Sequence, residues 1–372
     1  MPPAAAEDLQ AARTAYARGD FENAANLTQS ALRLAPDHAP AHLLSARIFD
    51  ARDQFPEARA AVERCLELNP DSAAGWRLLG YLHLNRGRWE ASAAASQRAI
   101  DIDSTNVGGQ INLGYALYRL GSPDRAYYHY QKALALAPRN KQALIYSGLL
   151  LTDMRRIDEA RRRFADAARY HPNDAEAHFR LGALIATEVL PPDTDADRAK
   201  SDQTNRSPEW KARYREARYH LEQSALLQSE QSEAYRVLTF LHLRAGEFER
   251  AIITGRVALA MNSQDIATRF NLGLAFYRTA EYATAKKLFA QVLEVYPDTS
   301  DARIFLGNAC MRLGELDAAI KHFELLLERN PAHPEAHINL WRIYQTPGHR
   351  DPVAAEKHRA AACDAGVTSA CD

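Results

Sequence analysis

The chain has 372 residues, 47% of them hydrophobic and 25% charged, with a formal net charge of −1 and a pI near 6.9. That balance is ordinary for a folded protein and argues against nucleic-acid binding, which calls for a strongly basic face. No apolar run approaches the length of about twenty residues that a membrane-spanning helix needs, and the opening Met1 to Asp8 has neither the basic stretch nor the apolar core of a secretory signal peptide.

From Ala5 onward one pattern recurs. Units open at Ala5, Ala39, Ala73, Val107, Lys141, Ala175, Ser232, Ile266, Ser300 and Pro334, giving nine full units and a degenerate tenth. Every step is 34 residues except the one from Ala175 to Ser232, which is longer by 23. Each unit reads as helix A, a short turn, helix B and a link. Apolar residues recur at helical spacing, as in Ala133, Leu134 and Leu136 or Phe323, Leu326 and Leu327. Glycines such as Gly19, Gly87, Gly121, Gly246 and Gly314 end helix A. Prolines such as Pro36, Pro70, Pro138 and Pro331 stop helix B.

Two positions stay small. The eighth holds Ala12, Ala46, Gly80, Gly114, Gly148, Gly182, Thr239, Gly273 and Gly307, and the twentieth holds Ala or Ser throughout. A glycine inside a helix costs about 1 kcal/mol against Ala, so its recurrence points to close approach of helices A and B. A fixed period of this length predicts an all-α solenoid of stacked helix pairs, each burying its apolar side on the next. The expected organisation is a solenoid over residues 5–349, then a capping helix and tail over 350–372.

The sixth unit carries the insertion. Its helix A is expected to end near Glu188. Ser207-Pro208-Glu209 is a good helix start, so helix B is lengthened and a polar, mobile loop runs from Leu190 to Arg206. The loop reads either as a tolerated insertion or as a docking or regulatory flap.

Catalytic signatures are missing: there is no phosphate-binding glycine loop and no H-E-x-x-H. His38 and His42, like His333 and His337, have metal-pair spacing. Both pairs occupy the same repeat positions, a link residue and the fourth position of helix A, which favours packing; neither a metal nor a cofactor is expected. Cys65 and Cys310 fall at interior positions and read as buried small residues.

The positions that carry the pattern, Leu79-Gly80, Leu113-Gly114, Leu272-Gly273 and Leu306-Gly307 with Ala126, Ala160, Ala285 and Ala319 and the link prolines, resemble those of the tetratricopeptide repeat (TPR) family over nearly the whole chain. Ser104, Ser229 and Ser263 replace link prolines, and Trp341 replaces the small eighth residue, so the last unit departs as a cap does. The resemblance implies a right-handed superhelix with a concave groove lined by A helices, used to hold peptides or partner proteins. The family's groove positions are the second, fifth, sixth, ninth, twelfth and thirteenth of helix A. Here they hold Tyr81, Tyr115, Tyr118, Tyr146, Phe179, Phe240, Phe270, Tyr277 and Phe305, with Arg77, Arg119, Arg180, Arg236, Arg244, Arg278 and Arg312, and Asn112, Asn271, Asn308 and Asn339. Aromatic and Arg residues dominate binding hot spots, and such a groove suits a segment with apolar anchors and some acidic character. The alternative is that many of these side chains merely pack one unit on the next.

The family's two-carboxylate clamp for chaperone C-termini is not met in any three consecutive units. Its nearest start, Arg77, Tyr81, Asn112, Gln142 and Tyr146, lacks the second half of the charge. Near the C-terminus, Cys363 and Cys371 with an intervening Asp-x-Gly resemble the junction of disulfide-closed helical repeats in secreted bacterial proteins. That resemblance implies a disulfide and an oxidising compartment; two reduced cysteines in a cytoplasmic protein is the other reading. The chain is thus expected to be a non-enzymatic scaffold for a protein or peptide partner within a bacterial assembly. The alternatives are a cell-envelope assembly factor, as in a secretion or motility machine, or the repeat half of an enzyme.

Overall fold

The computed structural model describes residues 1–189, 207–228 and 232–371, and among them there are twenty α-helices, one short 3-10 turn and no strand. The chain divides into two compact units, Met1–Pro172 and Asn173–Asp372. The first holds α1 (Pro3–Ala17), α2 (Phe21–Leu34), α3 (Ala39–Ala51), α4 (Phe55–Leu68), α5 (Ala73–Asn85), α6 (Trp89–Ile102), α7 (Val107–Arg119), α8 (Pro123–Leu136), α9 (Lys141–Asp153) and α10 (Ile157–Tyr170). The second holds α11 (Ala175–Val189), α12 (Pro208–Leu227), α13 (Ser232–Ala245), α14 (Phe248–Met261), α15 (Ile266–Arg278), α16 (Tyr282–Val295), α17 (Ser300–Arg312), α18 (Leu316–Arg329), α19 (Pro334–Ile343) and α20 (Pro352–Asp364). Odd-numbered helices are the A helices and even-numbered ones the B helices. Each A helix begins on the residue that opens its repeat, except α1, which starts earlier at Pro3.

Four of the pairs are held by a glycine and a ring. A Cβ on Gly114 would stand 2.7 Å from Tyr130, on Gly148 2.5 Å from Phe164, on Gly273 2.8 Å from Phe289 and on Gly307 2.6 Å from Phe323. These rings all come from the twenty-fourth position of the same repeat, on helix B. Where the eighth residue is Ala, its counterpart is smaller: Thr28 faces the repeat of Ala12, and Val62 that of Ala46. The seventh repeat reverses the sizes. Thr239 sits at the eighth position and Gly255 at the twenty-fourth, with Thr239 Cγ2 3.1 Å from where a Gly255 Cβ would be. In most repeats size is thus exchanged between the eighth and twenty-fourth positions; the sixth sets Gly182 against Leu221, and the third keeps both small, Gly80 against Ser96. The twentieth-position residues, from Ala24 to Ala319, are all fully buried.

The turn after helix A places its fifteenth residue in the left-handed region in every described turn between paired helices. Glycine serves at Gly19, Gly87, Gly121, Gly246, Gly314 and Gly348, but Asp53 (φ 57°), Arg155 (φ 60°) and Ala280 (φ 63°) adopt it too. The backbone closes a Schellman motif there, as in Asp20 N donating to Ala15 O at 3.0 Å and Glu281 N to Phe276 O at 2.9 Å.

The fourth position of helix A does more than pack. His42 Nε2 donates to Pro36 O at 2.7 Å, Trp76 Nε1 to Pro70 O at 2.7 Å and His337 Nε2 to Pro331 O at 2.8 Å; Arg269 and Arg303 reach Ser263 O and Pro297 O in the same way. Three chemically different side chains thus satisfy one recurring link carbonyl. His38 Nδ1 accepts from Ala41 N at 3.3 Å as an N-cap, so His38, His42 and His337 are engaged with backbone, whereas His333 Nδ1 is buried without a hydrogen-bond partner.

In the second unit, Ser207 caps α12 through Trp210 N at 3.1 Å, and Trp210 Nε1 donates to Val189 O at 3.1 Å, joining the end of α11 to the start of α12. The loop expected from Leu190 to Arg206 lies outside the described residues. At the C-terminal end Cys363 and Cys371 form a disulfide, and Arg359 Nη1 donates to Ala370 O at 2.9 Å. Cys65 and Cys310 are free and buried.

Candidate functional site

Within each unit, successive A helices touch one another, whereas no successive B helices do so comparably among the described residues. The A helices therefore form the inner layer of each unit and the B helices the outer one. At 3.6 residues per turn, positions two and thirteen of helix A differ by only about 20°, so the candidate positions share one stripe of each A helix.

In the first unit the stripe gathers a tyrosine cluster. Tyr115 lies 5.2 Å from Tyr146, 6.3 Å from Tyr118 and 6.1 Å from Trp89. Arg119 stacks over Trp89 at 4.3 Å and donates to Tyr115 Oη at 3.3 Å. Tyr118 donates to Asp153, and this hydrogen bond is the main reason its phenol is pushed up to about 12. Tyr130 packs behind, 6.4 Å from Tyr146; it is fully buried with no hydrogen-bond partner for its hydroxyl, and burial pushes its pKa up. Tyr115, Tyr118 and Tyr146 are each half-buried. They both join repeats and present surface.

Arg77 lies across Gly108, where a Cβ would meet its Cδ at 2.5 Å. Burial first, then the charge of Arg47, holds the Arg77 pKa below its usual range. Asn112 is buried and donates to Arg77 O at 3.2 Å, so it ties α7 to α5. Tyr81 is half-buried against the apolar cluster that includes Val62, Leu78 and Leu82.

The second unit has its own aromatic run. Phe270 stands 5.7 Å from Phe289 and 6.1 Å from Phe305, and Tyr277 stands 5.7 Å from Phe305 and 5.3 Å from Tyr282. Arg312 stacks over Tyr282 at 5.4 Å. Phe240 is 38% exposed, while Phe179, at 8%, is interior and serves packing. Asn339 is buried and donates to Asn308 Oδ1 at 2.7 Å, whereas Asn271 is half-buried. The arginines fall into two groups. Arg180 pairs with Glu176 at 3.2 Å, and Arg236 pairs with Glu233 and stands 3.9 Å from Asp265. Arg278 and Arg312 are exposed, and Arg244 is half-buried.

A cavity of about 710 Å³ opens in this unit beside α13 and α15, lined by Glu233, Arg236, Asp265, Phe270, Tyr296 and Asp301 among others. Sequence reasoning missed its acidic rim. It also missed Trp89, which reaches the cluster from a B helix, and Asp153, which occupies the thirteenth position but is neither aromatic nor basic.

Two family models, both described as tetratricopeptide repeat, match the chain, one over residues 15–82 and 117–185 and the other over 270–334. Among curated proteins, the chain is 27% identical over 116 residues to the anaphase-promoting complex subunit CDC16 of Saccharomyces cerevisiae; the match covers 25% of this chain and only 14% of that subunit. Among solved structures, Pseudomonas aeruginosa pilF aligns with a TM-score of 0.51 at 20% identity, over 63% of this chain and 96% of its own. A monomeric IFIT1 mutant with Gppp-AAAA aligns with a TM-score of 0.53 at 14% identity, over 95% of this chain and 79% of its own. At these identities both are likenesses of fold.

Proposed function

The chain belongs to the tetratricopeptide repeat family, and on that premise we propose that it is a non-catalytic interaction scaffold whose inner A-helix layer holds an extended or helical segment of a protein partner. The family and its structural neighbours support the scaffold role. The partly open aromatic cluster of Trp89, Tyr115, Tyr118 and Tyr146, with Arg119 stacked on it, carries the placement. Such residues give up hydration readily and still offer hydrogen bonds, as binding hot spots do. A bacterial multiprotein assembly is the setting we propose.

The test is the Tyr115→Ala/Tyr146→Ala double variant, assayed against a partner identified by pull-down with the wild-type chain. Partner affinity should fall at least about tenfold, as expected for loss of two aromatic anchors, while circular dichroism stays helical. Wild-type affinity in a folded double variant would remove the first unit's inner layer from the proposal.

A second reading, a component of the cell envelope, is favoured by the Cys363–Cys371 disulfide, since such bonds persist in oxidising compartments. Fractionation of the source cell with non-reducing mass spectrometry of the native chain tests it. A periplasmic, oxidised chain supports the reading, and a reduced cytoplasmic one excludes it.

A further inference from the structure

We propose that the outer layer of the first unit docks on an anionic phospholipid surface through the neighbouring B helices α8 and α10. This goes beyond the partner-holding role of the inner layer and does not depend on it. Charge is unevenly placed along this unit. Residues 5–72, the first two repeats, carry seven cations and eleven carboxylates, a net of −4. Residues 107–174, the fourth and fifth repeats, carry eleven cations and six carboxylates, a net of +5, in a chain whose total is −1.

Pairing leaves most of that positive charge open on the outer side. Arg156 pairs with Glu159 at 2.7 Å and Arg169 with Asp166 at 2.8 Å. Arg125, Lys132, Arg139, Arg155, Arg162 and Arg163 have no carboxylate within 4.0 Å among the described residues. The carboxylates left on the two helices are Asp124 and Asp158, both in a first helical turn, where the helix dipole accounts for them. The flanking α6 adds Arg98 against Glu90 and Asp101 on its exposed side, too little to cancel the surplus.

The two helices form one face. At the link end Arg139 stacks over Tyr170 at 5.1 Å and His171 Nε2 donates to Arg139 O at 2.7 Å. At the turn end Arg156 donates to Tyr127 Oη at 3.4 Å. On α8, Arg125, Tyr128, Lys132 and Leu136 lie within about 80° of one another, opposite the buried Ala126, Tyr130 and Ala133. Tyr128 is 56% exposed and Leu136 43%, and Lys132 lies over the Tyr128 ring at 5.4 Å. On α10, Arg162 holds the repeat position that Tyr128 holds on α8 and is exposed.

Tyr128 and Leu136 decide between anionic partners. A nucleic acid would offer the tyrosine a base to stack on but nothing to an aliphatic chain. At a lipid surface both side chains settle below the headgroups, while long cationic side chains reach the phosphates. Shape agrees. Successive B helices do not touch as the A helices do, so the outer layer of this unit bows outward. A plane meets a bowed layer along a strip of neighbouring helices, whereas a peptide is held better by a groove. The contact is peripheral, since no helix among the described residues is long and apolar enough to cross a membrane.

The test is sedimentation of the full chain with sucrose-loaded vesicles, either pure phosphatidylcholine or phosphatidylcholine and phosphatidylglycerol in equal parts. Binding is expected to the phosphatidylglycerol vesicles alone, and its loss at about 1 M salt, where the screening length is about 3 Å. Each cation near an anionic surface is worth about fivefold in affinity, so Arg125→Gln/Lys132→Gln/Arg162→Gln should weaken binding about a hundredfold. Lys132→Gln alone, expected to lose about fivefold, is the measure should the triple variant lose its helical circular dichroism. Leu136→Ser should lose about threefold with the salt dependence unchanged. Arg18→Gln/Arg33→Gln/Arg52→Gln, which removes the same charge from exposed sites in the first two repeats, should bind as wild type. No sedimentation with phosphatidylglycerol vesicles, or an equal loss in the two triple variants, would overturn the proposal. Patch-dependent binding of a labelled single-stranded DNA dodecamer or of polyglutamate, without vesicle binding, would put a different anion on this face and equally end it.

Discussion

Replacing Gly148 with Ala changes the sign of its effect with the residue that faces it. On helix propensity alone, Ala in the interior of α9 stabilises by about 1 kcal/mol. The added Cβ would lie 2.5 Å from Phe164 Cε1 and 2.8 Å from its Cδ1, and Phe164 is 2% exposed. Carbon atoms prefer about 3.5–4.0 Å, so the ring must retreat by about 1 Å into a packed interior. Overpacking of this kind costs about 1–3 kcal/mol, leaving Gly148→Ala net destabilising by about 1 kcal/mol. In a Phe164→Val background the second repeat's pairing of Ala46 with Val62 is reproduced, and the same Ala should stabilise by about 1 kcal/mol. Urea denaturation of the four chains of the cycle, followed by circular dichroism, gives the coupling energy, expected at about 1–3 kcal/mol. Stabilisation by Gly148→Ala in both backgrounds would refute the ring-into-glycine account of how the helix pairs are held.

Ala280 adopts φ 63° in the turn between α15 and α16. An L side chain pays about 1–2 kcal/mol in that region, partly offset by the greater chain entropy of Gly, so Ala280→Gly should stabilise by about 0.5–1 kcal/mol in thermal denaturation. Two histidine pairs, each a buried ring against a half-buried one, give a pH dependence. His178 and His220 meet Nδ1 to Nδ1 at 2.9 Å, as do His337 and His358, and burial first, then the paired histidine, pushes His220 and His358 down to about 4. Their folded pKa lies below the ordinary 6.5, so the unfolded chain takes up protons that the folded chain refuses. The stability contributed by neutral His220 and His358 is complete above about pH 6.5 and is lost as pH falls toward about 4, at up to about 1.4 kcal/mol per pH unit for each group. His220→Gln/His358→Gln, which keeps a donor but does not titrate, should flatten urea midpoints across that window.

The helix register was legible because period, small residues and link prolines agree in one frame over many repeats. The compensation inside most pairs was not, because its partners stand sixteen positions apart and exchange sizes, as Thr239 and Gly255 do. The turn residues Asp53, Arg155 and Ala280 carry no glycine signal; packing on both flanks imposes a conformation their own preference resists. The fourth position looks chemically incoherent as His, Trp or Arg until the link carbonyl shows that only an N–H is required. At the candidate site, the tyrosines and arginines could be named from repeat position. Which arginines are neutralised depends on three-dimensional partners such as Glu233, and the contribution of Trp89 depends on a B helix leaning into the inner layer.

Site-specific photocrosslinking tests the use of the inner layer most directly. Phe240 on α13 and Ile253 on α14 are 38% and 63% exposed, in the inner and outer layers of one repeat. A photoreactive phenylalanine at each, in otherwise identical chains, is irradiated with the partner bound. Adducts from position 240 and none from 253 are predicted; adducts from 253 alone would contradict partner binding by the A helices.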